Sequence, residues 1–238
     1  VPAGTDADSL RDAVQAVVDR HPALWASWHD GALHVPEAAP RIDVVHEAAA
    51  SVDGVVSRLD HRRSGGAVAV ALSDDTAVLA VHHLVVDGVS WRILLGDLAT
   101  ALSGGDVPPS STSVRRWAEA LTEYAAAGGV EAELPYWHGV ARTPRGSLPT
   151  DADPGLAGDL QRRTVVTPAS VTEAVLQDVP STYGTGPTDV VLAALALTLA
   201  SWSAFDGERT VVEVEGHGRE EDVVGTAGID LTRTVGWF

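Results

Sequence analysis

Two apolar segments separated by a short polar turn constrain the fold of this chain more than any other feature. Residues 67–72 and 76–81 are each long enough for a β-strand, and the polar residues 73–75 between them are typical of a hairpin turn. A helix is predicted to begin at Ser90, because apolar residues recur at helical spacing after it. Hairpins mixed with helices favour an α+β fold over a parallel doubly wound sheet.

Charge and composition exclude several classes of protein. The chain has 33 acidic and 16 basic residues and a formal net charge of -17, so nucleic acid and anionic membrane surfaces are not expected partners. Hydrophobic residues make up 45% of the sequence, which allows a sizeable core. The chain has no cysteine, and hence no disulfide or thiolate nucleophile. Since no apolar run approaches the about 18 residues of a membrane span, the expected location is the cytoplasm.

The sequence predicts two lobes within a longer polypeptide. Because the chain contains no methionine, we expect it to be an interior part of a larger protein. Proline, glycine, aspartate and threonine cluster around residues 146–160, which are predicted to be a linker. Residues 1–145 are then the N-terminal lobe without its first segment, and residues 161–238 are the beginning of the C-terminal lobe.

Three elements are predicted in the second lobe. Residues 161–167 and 209–215 have the composition of strands, and residues 188–204 form a long helix that is apolar on nearly all sides. A helix without a polar face is expected to be buried.

A histidine motif lies between the second predicted strand and the helix after it. Neighbouring residues of a strand face opposite ways, so of His82 and His83 one is expected to be structural and the other to act as a base near neutral pH. Asp87 lies at the turn, where a carboxylate can accept bonds from backbone amides or pair with an arginine, and Gly88 suits a tight backbone. A hairpin end with two surface histidines accounts for these residues equally well.

A second group of candidate residues follows the last predicted strand. Glu213 and Glu215 share one face of that strand, and glycines flank His217 as if another group approached the backbone closely. A charged, solvated strand end is the alternative interpretation. Histidine and glutamate also bind zinc or iron, but no HExxH or His-x-His spacing is present, so no metal site is predicted.

Together these segments resemble one family. Residues 82–91, HHLVVDGVSW, resemble the HHxxxDGxSW signature of the condensation-type superfamily of nonribosomal peptide synthetases, which shares its fold with chloramphenicol acetyltransferase. Residues 215–220, EGHGRE, resemble a motif characteristic of the epimerization domains of that superfamily, and residues 233–238, RTVGWF, match their next motif. The resemblance covers essentially the whole chain, while the family's opening motif and its late motifs are missing.

The resemblance implies a fold and a reaction. The fold is a two-lobe α+β structure of the chloramphenicol acetyltransferase type, with mixed sheets and flanking helices, incomplete at both ends. The reaction is inversion from L to D at the Cα of an aminoacyl or peptidyl thioester, by removal and return of a proton. His83 and Glu215 are implied as the acid–base pair, and either of them can remove the proton from the L face. Supporting or structural roles are implied for His82, Asp87, Gly88, His217 and Arg219.

Partners and alternatives also follow from the resemblance. The substrate is expected on the phosphopantetheine arm of an upstream peptidyl carrier protein, and the next partner is the condensation domain of the following module, in the synthesis of an antibiotic or another secondary metabolite. No cofactor or metal is expected on this chain. One alternative is a condensation domain that forms peptide bonds, which needs His83 but not Glu215. Another is a docking homologue without catalytic activity. We expect the isolated chain to be inactive.

Overall fold

The computed structural model describes residues 1–2, 4–47, 49–74, 76–143, 155–156, 161–202, 211–225 and 228–238. They form two compact units, the first made of Val1–Glu131 and Glu215–Phe238 and the second of Ala132–Val214. Of the predicted linker only residues 155–156 are described, and the predicted lobe boundaries stay a prediction. Within the described ranges no single helix is long and apolar enough to cross a membrane, and one pair, bent by 100°, meets the length and composition criteria only when its two helices are taken together.

The first unit combines helices with two small sheets. Its helices are α1 (Ala7–Arg20), α2 (Val52–Val56), α3 (Gly88–Leu102) and α4 (Val114–Ala126), and its strands are β1 (Ser27–His29), β2 (Ala32–His34), β3 (Val44–His46), β4 (Val68–Ser73) and β5 (Thr76–Val81). Strands β1 and β2 form an antiparallel hairpin. The other sheet has the order β3-β4-β5, with β3 parallel and β5 antiparallel to β4. The predicted α+β class and the hairpin over residues 67–81 are confirmed.

The central strand β4 is buried on both faces. Its residues Val68, Val70 and Leu72 pack into the main core with α1 and α3, whereas Ala69 and Ala71 pack on the opposite side against Val55 of α2. This alternation is the period of two that a strand imposes on its side chains. Strand β5 pairs with β4 along its whole length, from Ser73 opposite Thr76 to Val68 opposite Val81. The end of β5, where the histidine motif begins, is therefore held on a fully packed strand.

The second unit consists of helices and irregular segments in its described residues. It contains α5 (Leu134–Arg142), α6 (Ala169–Glu173), α7 (Val179–Tyr183) and α8 (Pro187–Ser201), and a π-helical turn at Ala174–Asp178 joins α6 to α7. A further short helix, α9 (Glu221–Val224), lies in the returning segment of the first unit.

Two predictions for this part of the chain are wrong. Residues 161–167 form no strand. Helix α8 is not buried: Leu199 is its only buried residue among those described, and Val191 and Leu197 are 56% and 73% exposed. An apolar helix stays exposed where only one side of it packs, and the main contacts of α8 among the described elements are with α7 and the π-helical turn.

A buried polar network joins three segments of the first unit. Nε2 of His21, just after α1, lies 2.7 Å from Oδ2 of Asp97 on α3. Nη2 of Arg233 donates to both carboxylate oxygens of Asp97, at 2.7 and 2.9 Å. The side chains of His21 and Asp97 are 0% and 4% exposed.

The histidine of this network is held neutral. Burial lowers the pKa of His21 below its ordinary 6.5, Asp97 opposes that shift, and Arg233 adds to it. Nδ1 of His21 is buried and has no hydrogen-bond partner among the described residues. Protonation would place a donor at Nδ1 with nothing there to accept its hydrogen bond. The neutral ring with its proton on Nε2, donating to Asp97, satisfies the geometry.

Acidification is therefore expected to loosen the contact between α1 and α3. Because the folded-state pKa of His21 lies below the unfolded value, its contribution is present above about pH 6.5 and is lost as the pH falls, by at most about 1.4 kcal/mol per pH unit for one proton. Amide hydrogen exchange of α1, corrected for intrinsic rates, should report increased opening between pH 7.5 and 5. The His21→Gln variant should lose this dependence, while His46→Gln, which changes an exposed histidine, should keep it. Equal pH dependence in His21→Gln and the wild type would contradict the assignment.

Candidate functional site

His82 and His83 follow directly after β5, which ends at Val81. The backbone N–H of His82 donates to Ala67 at 2.8 Å, and the N–H of Leu84 donates to Nδ1 of His82 at 3.1 Å as the chain turns. Both imidazoles line one cavity of ≈ 290 Å³. The strand alternation behind the prediction of opposite directions stops at Val81, before both histidines.

The two histidines of this motif differ in their surroundings. His82 is partly buried, with its ring 5.0 Å from the ring of His61. Burial, with the nearby His61 and His83, lowers the pKa of His82, which keeps its ring neutral and lets Nδ1 accept the backbone bond. His83 is exposed to the cavity, and its ring meets Trp237 edge to face at 5.8 Å. His83 is thus the imidazole available to a bound molecule.

Asp87 caps α3 and forms the closest ion pair of the site. Its Oδ1 accepts from the N–H of Ser90 at 2.8 Å, as an N-cap carboxylate does. Nη1 and Nη2 of Arg219 donate to Oδ2 and Oδ1 at 2.6 and 3.0 Å, with the side chains 14% (Asp87) and 7% (Arg219) exposed. Burial raises the pKa of Asp87, but hydrogen bonds from Arg219 and Ser90 outweigh it and hold the pKa below its ordinary range. Asp87 is therefore an ionised structural group.

Arg219 joins the histidine motif to the end of the chain. Besides Asp87, its guanidinium donates to Ser90 Oγ at 3.1 Å and to the backbone oxygens of His217 and Thr234 at 3.1 and 3.2 Å. Its Cζ lies 3.9 Å from the centre of the Phe238 ring. One buried side chain thus holds the start of α3, the segment that carries Glu215 and the last residues of the chain.

The glycines at this junction are not equivalent. Gly218 has φ of +68°, and a Cβ there would lie 2.5 Å from Cβ of Phe238, so only glycine fits. A Cβ on Gly236 would lie 2.1 Å from Val114 Cγ2. Gly88 has open space around it, so the tight backbone predicted for Gly88 is absent.

Ser90 is a structural residue of the site that sequence analysis did not single out. It is completely buried, and its hydroxyl donates to the backbone oxygen of Gly236 at 2.9 Å while accepting from the N–H of Gly236 at 3.1 Å. These bonds position Trp237, the cavity wall beside His83. Ser90 and Trp237 lie in the motifs of residues 82–91 and 233–238, so the sequence did mark both positions. A motif does not show which of its residues are structural and which are reactive.

Glu215 lies on the boundary of two cavities. It lines the ≈ 290 Å³ cavity with His82, His83, Leu84 and Trp237, and a second cavity of ≈ 520 Å³ with Asp87, Gly88, Val89, Arg92, Gly216, His217 and Phe238. Residues 211–215 are irregular rather than the predicted strand, and residues 209–210 lie outside the described residues. The structure thus brings Glu215 to the same cavity as His83.

His217 lines the second of these cavities and is not among the residues that line the first with His82 and His83. Its Nδ1 accepts from the N–H of Arg219 at 3.0 Å and is 3.7 Å from Oε1 of Glu220. The imidazole is exposed and lines the ≈ 520 Å³ cavity. Its contacts order the turn before Arg219. Within the described ranges, no group of three or more potential ligands among histidine, aspartate and glutamate is placed to hold a metal ion.

The chain is similar to proteins of one class. A family model described as the condensation domain matches residues 66–238. Tyrocidine synthase 1 of Brevibacillus parabrevis is 39% identical over 180 residues, which cover 70% of this chain and 16% of that protein. Tyrocidine synthase 2 of the same organism is 32% identical over 271 residues, which cover 99% of this chain and 7% of that protein. The chain therefore spans only a small part of the length of these relatives.

A solved structure supports the same assignment. The epimerization domain from the third module of tyrocidine synthetase B superimposes with a TM-score of 0.78 and is 32% identical. The match covers 99% of this chain and 58% of that one, so the chain spans little more than half of the solved domain. The chain belongs to the condensation domain family of nonribosomal peptide synthetases, and the resemblance and fold inferred from the motifs are confirmed.

The Asp87–Arg219 pair is expected to contribute strongly to stability. Replacing Asp87 with alanine removes the cap of α3 and leaves the buried guanidinium of Arg219 without its carboxylate, a loss of about 3–5 kcal/mol. Asp8→Ala is the matched control, because Asp8 also pairs with an arginine, Arg11, but is exposed; its cost should stay below about 1 kcal/mol. Chemical denaturation of the full-length variants measures both. Equal, small losses in the two variants would show that the buried pair is dispensable.

Proposed function

We propose that this chain is part of an epimerization domain, which converts an aminoacyl or peptidyl thioester from the L to the D configuration at Cα. The observation that carries the proposal is the cavity that His83 and Glu215 share, since removing a proton from one face of a carbon and returning one to the other face uses a titratable group on each side. The EGHGRE segment around Glu215 and the 32% identity to a solved epimerization domain support it.

The difficulty of the reaction lies in the acidity of the substrate. The Cα–H of a thioester is a far weaker acid than imidazolium, whose ordinary pKa is about 6.5, and each unit of that mismatch costs about 1.4 kcal/mol. The negative charge that develops on the thioester oxygen must therefore be stabilised by hydrogen-bond donors or cations already in place. The site needs a base, an acid and such a group.

The proposed reaction removes one proton from Cα and returns one proton to it. One of His83 and Glu215 begins deprotonated and takes the Cα proton, and the electron pair of the broken C–H bond moves into the thioester carbonyl to give an enolate. The other group begins protonated and donates its proton to the opposite face of Cα. Both groups then hold the reversed protonation state, and exchange with water through the open cavity restores them. His83 and Glu215 are both exposed, which allows that exchange.

Delivery of the substrate defines the proposed partners. The thioester arrives on the phosphopantetheine arm of an upstream peptidyl carrier protein, and a condensation domain of the next module takes the D product. The arm belongs to the carrier protein, and this chain is proposed to bind no cofactor and no metal, because the thioester already activates the Cα–H.

A condensation domain is the second candidate function. The family model that matches residues 66–238 is described as the condensation domain, and peptide-bond formation would also use His83. It would not need Glu215. The two functions are separated by offering one loaded carrier protein, which suffices for inversion, or two, which are required for peptide transfer.

Both proposed proton carriers are expected to be essential for inversion. His83→Ala and Glu215→Gln should each abolish formation of the D-thioester on a loaded carrier protein, because each removes the proton carrier for one face. Chiral chromatography of the released amino acid or peptide measures the product. Glu213→Gln is the matched control, since Glu213 lies on the same exposed segment, and it should invert at the wild-type rate. Full inversion by His83→Ala or Glu215→Gln would contradict the assignment of these two residues as the proton carriers.

The absence of a metal from the proposed reaction can be tested directly. Treatment of the full-length protein with a strong chelator, followed by gel filtration, should leave the inversion rate unchanged. Loss of activity that zinc restores would contradict the proposal.

A further inference from the structure

The proposed reaction still lacks the group that stabilises the negative charge, and Arg92 is placed to be that group. It lies on α3 just over one turn from the start of the helix, and its exposed side chain lines the ≈ 520 Å³ cavity together with Glu215. No described residue forms a hydrogen bond or an ion pair with its guanidinium. In this cavity wall Asp87 is neutralised by Arg219, so Arg92 is the positive charge not already paired.

The chemistry of an arginine suits this position. A guanidinium keeps its charge at any working pH and offers five N–H donors in a planar arrangement. When a carboxylate removes a proton from carbon, its negative charge passes to the enolate oxygen. A cation that lines the same cavity as the carboxylate can then stabilise the charge on that oxygen.

We propose that Arg92 is a catalytic residue that donates a hydrogen bond to the thioester carbonyl oxygen of the substrate and stabilises the enolate. The inference rests on the proposed function, because only Cα deprotonation places an enolate next to Glu215. The competing target for a cation is the phosphate of the pantetheine arm. That phosphate is separated from the thioester by the full length of the pantetheine chain. Arg92 lines the cavity next to the one that His83 and Glu215 share, with Glu215 common to both, and this favours the thioester end as its target.

Stabilisation of the enolate and binding of the pantetheine phosphate predict different kinetics for variants of Arg92. Loss of an enolate donor should lower kcat for inversion by about 100- to 1,000-fold in Arg92→Gln, with a much smaller change in KM. Arg92→Lys keeps the charge and should recover part of the loss. Arg115→Gln, which changes an exposed arginine of α4, is the control and should leave both constants unchanged.

Exchange of the Cα proton with D₂O separates Arg92 from the two proton carriers. Enolate formation is common to deprotonation from either face, so Arg92→Gln should slow exchange of both the L- and the D-thioester to the same extent. His83→Ala and Glu215→Gln should instead each affect one substrate more than the other. A symmetric loss is therefore the signature of a group that acts on the enolate itself.

The experiment measures inversion and two-face exchange for carrier-bound substrate with the full-length wild type and the Arg92→Gln, Arg92→Lys and Arg115→Gln variants. A kcat loss with symmetric slowing of exchange, partly restored by lysine, supports the proposal. Raised KM with unchanged kcat would indicate phosphate binding and overturn it. Wild-type rates in Arg92→Gln would also overturn it while leaving the epimerase function intact. A wild type that neither inverts nor exchanges its substrate would reject the proposed function and this inference together.

Discussion

The ion pair between Asp87 and Arg219 is the interaction on which the rest of the site depends. It joins positions 132 residues apart and is almost fully buried, with Nη1 of Arg219 bonded to Oδ2 of Asp87 and Nη2 bonded to Oδ1. The segment around Arg219 has no strand to hold it and is exposed before Arg219. Within the described residues this pair is the charged contact that ties the segment carrying Glu215 to the histidine motif, and the bonds of Arg219 to Ser90 and Thr234 add to it.

Helix α3 serves as the support to which the end of the chain is fastened. Asp87 binds Arg219, Ser90 binds the backbone of Gly236, and Asp97 binds Arg233. The three attachment points lie at the cap and along the length of α3, whose buried Leu94 belongs to the same core as Val68, Val70 and Leu72 of β4. These attachments position Trp237 and Glu215. The pairing of β5 with β4 positions His83, which follows the end of β5. Two parts of the chain distant in sequence thereby form one cavity.

The sequence predicted which residues form the site better than it predicted how they are arranged. Hairpin periodicity located β4 and β5, and the motifs identified the residues that the structure brings together around Glu215. The strand predicted through Glu215 was wrong because a β-branched run forms a strand only beside a neighbour, and none of the described strands pairs with residues 211–215. Helix α8 was expected to be buried because apolarity indicates a buried face but not what covers it. His82 and His83 share a cavity because the strand ends at Val81, a boundary that periodicity does not locate. The network of His21, Asp97 and Arg233 had no local signal, since its members are distant in sequence.

The fate of the Cα proton in the wild-type protein tests the central claim most directly. In D₂O, an L-aminoacyl carrier protein labelled with protium at Cα should give a D product that carries deuterium from its first appearance, while the remaining L substrate keeps its protium. That pattern requires removal from one face and return to the other by two groups, as His83 and Glu215 in one cavity would provide. Early D product that retains protium would indicate a single group acting on both faces, and an absence of D product and Cα exchange would exclude epimerization.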